Sequence, residues 1–121
     1  MTTMNTVVAQ VDGLKPNAYS DEDKYRWISR AETLIGQEVF GDGDTSRCLT
    51  AADADTPLRL RHPYDELYSL YVMAMIDFHN REYGSYNNTL LIFRERLEQL
   101  KARSIRVRKP GVPAQFRKVM G

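Results

Sequence analysis

The sequence predicts an all-α fold: a small bundle of about four helices with a long central loop and an extended C-terminal arm. Apolar residues recur at steps of three and four in four separate segments, which is the period of a helix face. Gly, Pro, Asn and Asp cluster between those segments and mark the connections. At 121 residues the chain fits one domain, large enough to bury a core without disulfides. We expect residues 1–105 to form the bundle and residues 106–121 a basic extended arm.

Two helices are predicted in the first third of the chain. The first should span about residues 4 to 14, because its valines have helical spacing and Pro16 follows them. The second should span about residues 21 to 39, with Ser20 as its N-cap and three acidic residues near the positive end of the helix dipole. The packing stripe of this second helix consists of Trp27, Ile28, Ala31, Leu34, Ile35 and Val39.

Residues 41 to 62 lack helical periodicity and are predicted to form a long exposed loop, with a possible short strand at Leu58–Leu60. Its aspartates suggest a calcium site, because carboxylates are the ligands that Ca²⁺ prefers. The EF-hand loop requires a bidentate Glu at its twelfth position, and that position, counted from Asp42, is an aspartate. The pattern therefore departs from the EF-hand at its most informative place. The candidate ligands are Asp42, Asp44, Asp53 and Asp55.

Two further helices are predicted to form an antiparallel hairpin. The third should begin at Pro63, a favoured first position, and run to Tyr83 with Gly84 as its stop. It is apolar nearly all round, which is typical of a central, buried helix. The fourth should be capped by Ser85 or Asn87. Its packing side consists of Leu90, Leu91, Phe93, Leu97 and Leu100.

Charge is distributed unevenly along the chain. Residues 94–118 hold nine basic and two acidic residues, a net of +7, whereas residues 1–93 hold eight basic and fourteen acidic residues, a net of −6. Such asymmetry suggests a polyelectrolyte partner or head-to-tail self-association. Apolar residues within the arm suggest anchors that dock on a partner. The candidate partner-binding residues are Arg103, Arg106, Arg108, Lys109, Val112, Phe116, Arg117 and Lys118.

One cluster, Asp77, His79 and Glu82, could carry chemistry. His79 and Glu82 share a helix face, as a metal pair or an acid/base pair requires. This leaves a metal-dependent enzyme as one hypothesis. The di-iron bundle template needs a Glu-x-x-His from each of two helices and two further Glu, whereas here the order is reversed and occurs once.

The remaining signals for catalysis are weaker. The single cysteine, Cys48, cannot form an internal disulfide and has no histidine in its own segment to act as a base. No phosphate-binding loop, nucleophile elbow or H-E-x-x-H motif occurs. We therefore expect a non-enzymatic protein without a cofactor or a metal.

Five tyrosines lie in and around the third helix, and aromatic side chains can stack on nucleic-acid bases. Their neighbours are Leu, Val and Met rather than Arg and Lys, which favours the core or a protein interface. The tyrosines are Tyr64, Tyr68, Tyr71, Tyr83 and Tyr86.

A membrane association is not expected. The N-terminal residues lack the basic start and apolar run of a signal peptide. The longest apolar run, Leu67–Phe78, is shorter than the roughly 20 residues that span a bilayer. We expect a soluble protein that is intracellular when synthesised.

Two stretches, VDGLKPNAYSDEDKYRWISRAETLIGQEVF and HPYDELYSLYVMAMIDFHNREYGSYNNTLLIFRERLEQL, resemble the small head-tail connector, or adaptor, proteins of tailed bacteriophages and prophages, especially those of Gram-positive hosts. The features that carry the resemblance are the Lys15-Pro16-Asn17 break, Trp27, the core run Tyr71–Phe78 and the EYGSYNN turn at Glu82–Asn88. Together they cover most of residues 7–100.

The resemblance implies a helical subunit that assembles into a ring of about twelve copies beneath the portal protein. It also implies that the ring bridges the portal to the next neck or tail protein, and that genomic DNA passes through without sequence-specific binding. Such a subunit is located at the head-tail interface of the virion, after assembly in the host cytoplasm. The alternative is a small nucleic-acid-binding or DNA-packaging accessory protein that uses the basic arm.

Overall fold

A computed structural model describes residues 1–41 and 49–108 of the chain. These residues form an all-α bundle of four helices, as predicted. The helices are α1 (Met4–Leu14), α2 (Asp21–Val39), α3 (Glu66–His79) and α4 (Tyr83–Arg108). The predicted bounds of α1 and α2 are confirmed, and the Ser20 hydroxyl caps α2 by accepting a hydrogen bond from the Asp23 N–H.

Helix α3 is the central helix and contacts the other three. It runs parallel to α1, because Ser69 donates a hydrogen bond to Gln10 while Lys15, just beyond α1, pairs with Asp77 near the end of α3. The shared direction follows from the connection through α2, which brings the chain back along the bundle before α3 begins.

Helices α2 and α4 run antiparallel to α3. In α4, Tyr86 packs on Phe78 near the end of α3, and Phe93 packs on Tyr71 one half-helix away. In α2, Trp27 near the start stacks on His79 at the end of α3. The predicted α3–α4 hairpin is thus confirmed, and it forms the most extensive helix pair of the bundle.

The core is drawn from all four helices and from the segment between α2 and α3. The predicted stripe of α2 is buried, apart from the partly exposed Leu34. On α4, Leu91 was predicted to pack inward, but its side chain is 61% exposed because it projects between the buried positions of that helix. The largest fully buried side chains are Tyr68, Phe93, Met4, Ile28, Ile35, Leu67, Ile76, Val7, Val11, Val39 and Val72.

The connection from α3 to α4 differs from its predicted form. Helix α3 ends at His79, and Arg81 adopts a left-handed conformation with φ of 63°. The Arg81 N–H donates to the Phe78 carbonyl (3.0 Å) and the Glu82 N–H donates to the Asp77 carbonyl (2.8 Å), the paired bonds of a Schellman C-cap. Gly84 lies inside α4 instead of ending α3. The prediction was wrong because an arginine occupies the position that glycine usually takes.

The start of α4 was also predicted too late. The helix begins at Tyr83, so Ser85 and Asn87 lie within it rather than at its N-cap. The Ser85 hydroxyl instead donates to the Asp77 carboxylate at 2.7 Å. This bond reaches from α4 to α3 and ties the two helices close to their connection.

Residues 49–62, which the structure describes within the predicted loop, are not exposed throughout. They contain the 3₁₀-helix Ala51–Asp53, and the side chains of Leu49, Ala54, Leu58 and Leu60 are buried. The expected strand at Leu58–Leu60 is absent from the described part of the chain, because its N–H groups bond to the Thr2 carbonyl and to side chains rather than to another strand.

Helix α3 starts three residues after Pro63, at Glu66, and not at Pro63 itself. The His62–Pro63 peptide bond is cis, and the N–H groups of Tyr64 and Asp65 both donate to the Arg61 carbonyl. These two bonds form a turn, and the α-helix begins at the next residue, Glu66.

Helix α4 continues to Arg108. Residues 106–108, predicted as the start of the extended arm, are therefore the end of a helix. The remaining arm residues, 109–121, lie outside the described residues.

Candidate functional site

The bundle carries two unlike surfaces at its two ends. Six aromatic side chains meet where α3 passes into α4, and we call this set the aromatic end. They come from the residues before α2, from α2, from the last turn of α3 and from the first turn of α4. The aromatic end consists of Tyr19, Trp27, Phe78, His79, Tyr83 and Tyr86.

The rings of the aromatic end form one connected layer. His79 stacks on Trp27 with centroids 5.3 Å apart and an interplanar angle of 17°. Phe78 contacts the rings of Tyr83 (6.0 Å) and Tyr86 (5.2 Å). Phe78 is 44% exposed and Tyr83 is 52% exposed. The outer rings thus form an apolar surface that is held in place by its inner neighbours.

A buried ion pair supports the aromatic end from beneath. Asp77 is 1% exposed, and its Oδ1 lies 2.7 Å from Lys15 Nζ while its Oδ2 accepts the Ser85 hydroxyl. The hydrogen bond to Asp77 raises the pKa of Lys15, against the opposing effect of burial. The Tyr19 hydroxyl donates to Asn80 at 2.6 Å and fixes the approach to α2.

A second ion pair joins α1 to α2 near the same end. Lys24 is buried, and its Nζ lies 2.7 Å from Asp12 Oδ1. The hydrogen bond from Lys24 lowers the pKa of the Asp12 carboxyl, with a further contribution from Asn17. Asp12 is partly exposed, so solvent weakens this pair.

The catalytic hypothesis for His79 and Glu82 finds little geometric support. The His79 ring is stacked between aromatic neighbours, and Glu82 lies beyond the end of α3, past the left-handed Arg81. The helix face that the two residues were predicted to share is therefore interrupted. Among the side chains that the structure describes, no group of three or more His, Cys, Asp or Glu residues is arranged to hold a metal ion.

Of the four candidate calcium ligands, the structure describes Asp53 and Asp55. Asp53 caps the 3₁₀-helix by accepting from the Thr50 N–H, and Asp55 accepts from the Asn5 amide at 2.8 Å. Both carboxylates thus stabilise local structure. Asp42, Asp44 and the candidate nucleophile Cys48 lie outside the described residues.

At the opposite end of the bundle, cations from two parts of the chain come together, and we call this set the basic end. Arg103 of α4 lies over the Tyr64 ring, 5.8 Å from its centroid, and Arg59 lies over the Phe40 ring at 4.7 Å. A cleft of about 330 Å³ lies between the start of α3 and α4, with Arg96 and Arg103 on its wall. The basic end consists of Arg59, Arg61, Arg96, Lys101 and Arg103.

Two members of the basic end already pair with carboxylates. Arg96 forms an ion pair with Glu66, and Lys101 lies 3.8 Å from Glu38 at the end of α2. These partly exposed pairs are weak, since solvent screens them. The contribution of Arg59 and Arg61 could not be read from the sequence, because they precede the α4 members of the basic end by 35 residues or more.

Between the two ends, Glu32 forms a buried network. This carboxylate is 3% exposed and accepts the Tyr68 hydroxyl at 2.6 Å and the Arg59 N–H at 3.0 Å. The Tyr68 oxygen in turn accepts the Leu60 N–H at 3.1 Å. Burial, followed by the nearby Glu32 carboxylate, raises the pKa of Tyr68 well above its usual range. The network attaches the irregular segment before α3 to two helices.

The five tyrosines divide according to these surroundings. Tyr68 is buried in the Glu32 network and Tyr71 packs on Phe93, so both belong to the interior. Tyr64 packs against Arg103 of the basic end, and Tyr83 and Tyr86 belong to the aromatic end. The residues next to each tyrosine in the sequence did not predict its location, because the location depends on which helix packs against the ring.

The candidate partner-binding residues have different positions. Arg103 is an exposed member of the basic end, and Arg106 and Arg108 lie in the last turns of α4. The other candidates lie outside the described residues: Lys109, Val112, Phe116, Arg117 and Lys118.

Comparison with known proteins finds no relative. No family model matches the sequence, and no curated protein or solved structure matches it. In the part of the chain that the structure describes, no helix has both the length and the apolar character of a membrane span.

Proposed function

We propose that the chain is a non-enzymatic structural subunit of the head-tail connector type. In this role it assembles into a ring beneath a phage portal protein and bridges the portal to the next neck or tail protein. Genomic DNA passes through the ring without sequence-specific binding, and the protein is located at the head-tail interface of the virion. The resemblance of residues 7–100 to that family suggests the role.

The observation that carries the proposal is the difference between the two ends of the bundle. A ring with one contact repeated around it needs two complementary surfaces on each subunit, because its interface is heterologous. An exposed aromatic layer built on Phe78 and Tyr83 at one end and a cluster of arginines at the other are two such surfaces.

The first test is assembly of the full chain. Purified protein at increasing concentration, alone and with portal protein, should form closed rings of uniform subunit number by electron microscopy and native mass measurement. Truncation after Arg108, the last residue of α4, should abolish portal binding and leave the helix content unchanged by circular dichroism. If the chain stays monomeric with portal present, or the truncated chain binds portal as tightly as the full chain, the proposal is wrong.

The basic end supports a second candidate function, binding of nucleic acid in DNA packaging. Arg59 and Arg61 precede α3 and Arg103 lies in α4, so the positive side chains at this end come from two parts of the chain, whereas the sequence assigned them to the C-terminal region alone. Binding of short duplex DNA should then weaken steeply with salt, since each neutralised phosphate releases a counterion. Anisotropy titrations at several salt concentrations separate the two candidates, because a connector should show little DNA affinity at physiological salt.

A further inference from the structure

The aromatic end has the features of a surface on which another protein segment can dock. The buried Trp27 stacks on the exposed His79, and Phe78 and Tyr83 expose about half of their area. Exposed aromatic side chains with fixed neighbours lose little conformational entropy on binding, which is why they act as interface anchors. An occupant must therefore supply apolar side chains of its own.

The C-terminal arm has the composition of such an occupant. Residues 109–121 read KPGVPAQFRKVMG, with three basic residues and no acidic residue. One aromatic side chain, Phe116, lies among them, and a short peptide of this kind binds through one or two apolar anchors. The apolar residues of the arm are Val112, Phe116, Val119 and Met120.

The arm cannot reach the aromatic end of its own chain. Helix α4 begins at the aromatic end with Tyr83 and has 26 residues, so its far end is roughly 39 Å away at about 1.5 Å per residue. To return, the arm must first reverse direction, which uses about four residues. The four residues that then remain up to Phe116 span about 14 Å, at about 3.4 Å each. Even Met120, eight residues beyond the reversal, stops about 12 Å short of the aromatic end at the same rise per residue.

The nearer cleft on the same chain is unsuitable for electrostatic reasons. The cleft between α3 and α4 lies within reach of the arm, but its wall carries Arg96 and Arg103. Glu66, the acidic residue of that wall, already pairs with Arg96. The basic arm residues Arg117 and Lys118 would therefore face like charge there.

The surroundings of the aromatic end have the opposite charge balance. The helix ends and connections that meet there, residues 12–26 and 77–83, contain six carboxylates and four cations, a net charge of −2. The carboxylates are Asp12, Asp21, Glu22, Asp23, Asp77 and Glu82, and the cations are Lys15, Lys24, Arg26 and Arg81. The arm, with its net of +3, is complementary to this end.

We infer that the arm of one copy docks on the aromatic end of the next copy, with Phe116 against Phe78 and Tyr83 and the cations Arg117 and Lys118 facing the acidic residues around them. This inference rests on the proposed ring function, for which it names the contact between subunits. The contact is heterologous, so one copy uses its arm and its neighbour uses its aromatic end.

Complementation between two full-length variants tests the contact. Phe116→Ser removes the anchor and keeps the aromatic end; the pair Phe78→Ser and Tyr83→Ser removes the docking surface and keeps the arm. Sedimentation velocity should show that the wild-type chain associates increasingly as its concentration rises. Each variant alone should associate at least about tenfold more weakly. An equimolar mixture should form a dimer and nothing longer, because only one junction is then possible.

Amide NMR spectra locate the junction. Adding the unlabelled docking-surface variant to the ¹⁵N-labelled Phe116→Ser chain should shift amides of residues 78–86. Leu91→Ser is the matched control, since Leu91 is more exposed than Tyr83 but lies elsewhere on α4, and it should associate like the wild type. Circular dichroism and unfolding midpoints check that each variant is folded, which the exposure of the substituted side chains favours.

Three results would overturn the inference: a mixture that stays monomeric, a variant that associates alone as strongly as the wild type, or aromatic-end shifts that do not depend on concentration. The outcome for the ring is separate. Rings that persist in both variants would refute the arm contact and leave the connector function standing. A mixed dimer without rings at any wild-type concentration, with or without portal protein, would establish the contact and refute the connector function.

Discussion

Among the residues that the structure describes, the carboxylates of Glu32 and Asp77 are buried, and they have different hydrogen-bonding partners. Glu32 accepts hydrogen bonds from the phenol of Tyr68 and from the Arg59 backbone N–H, in the middle of the bundle. Asp77 pairs with the ammonium of Lys15 and accepts the Ser85 hydroxyl, at one end. Both are almost fully buried, so the difference lies in what each holds together.

Glu32 stabilises the interior, whereas Asp77 stabilises an end that stays partly open. The Glu32 network satisfies backbone N–H groups of an irregular segment that would otherwise be buried without partners. The Asp77 cluster joins three chain segments directly beneath exposed aromatic rings. We therefore expect substitutions in the Glu32 network to change stability most. Substitutions around Asp77 should have smaller effects, because solvent reaches that end of the bundle.

The largest expected effect is that of Tyr68→Phe. Loss of the hydroxyl leaves the Glu32 carboxylate and the Leu60 N–H without this partner in a buried site, which should cost about 2–4 kcal/mol in the free energy of unfolding. Urea unfolding followed by circular dichroism measures it. Tyr83→Phe is the matched control, because Tyr83 is 52% exposed, and its effect should stay within about 0.5 kcal/mol. Equal effects of the two substitutions would contradict the role of the network.

An intermediate effect is expected for Lys15→Met, about 2 kcal/mol at neutral pH, because it removes the cation that pairs with the buried Asp77. The folded state raises the pKa of Lys15 above its usual 10.5. The pair therefore stabilises the fold fully below pH 10.5, and its contribution is lost as pH rises through the higher folded-state pKa. The stability difference between wild type and variant should shrink in that window, as urea titrations from pH 7 to 11.5 can measure.

Lys101→Met provides the control for the ion pair. Lys101 lies 3.8 Å from Glu38, and both side chains are about 40% exposed, so this substitution should change stability little at any pH. A Lys15→Met penalty that stays constant up to pH 11.5 would show that packing of the lysine stem, and not its charge, stabilises this end.

The smallest effects are expected at the α3–α4 connection, and they are stabilising. Arg81→Gly should add about 1 kcal/mol to the free energy of unfolding, because glycine adopts a φ of 63° without the steric cost that other residues carry.

Gly84→Ala should add about 0.5–1 kcal/mol to the free energy of unfolding, since Gly84 is helical and a Cβ there meets no atom within 4 Å. Thermal unfolding midpoints measure both. If Gly84→Ala destabilises the protein, Gly84 terminates α3 as the sequence predicted, and the Schellman bonds at Arg81 do not.

Local sequence signals located the first two helices to the residue and failed at α3. The Ser20 cap and Pro16 act on their immediate neighbours, so the bounds of α1 and α2 could be predicted. Glycine is the usual C-terminal signal, but α3 ends at His79 and the left-handed position just beyond it is Arg81, a residue type that rarely adopts this conformation. The segment before α3 looked like a solvated loop because its four buried apolar residues have no helical period.

The candidate surfaces were predictable only in part. The sequence indicated a basic C-terminal region and the aromatic residues around α3, but it offered Asp77, His79 and Glu82 as a chemical cluster. In the fold, Asp77 points to Lys15 and Ser85, and His79 stacks on Trp27. No spacing rule links Lys15 or Trp27 to α3, since these contacts depend on how separate helices pack.

The sequence by itself determined an all-α chain with a buried central helix and a separation of charge between its two parts, because helical period, capping residues and charge are local properties. Tertiary structure alone decided that α1 runs with α3, that Glu32 holds the irregular segment before α3, and that aromatic and basic side chains gather at opposite ends. Those features bring together residues that are distant in the chain, and burial of the core selects their partners.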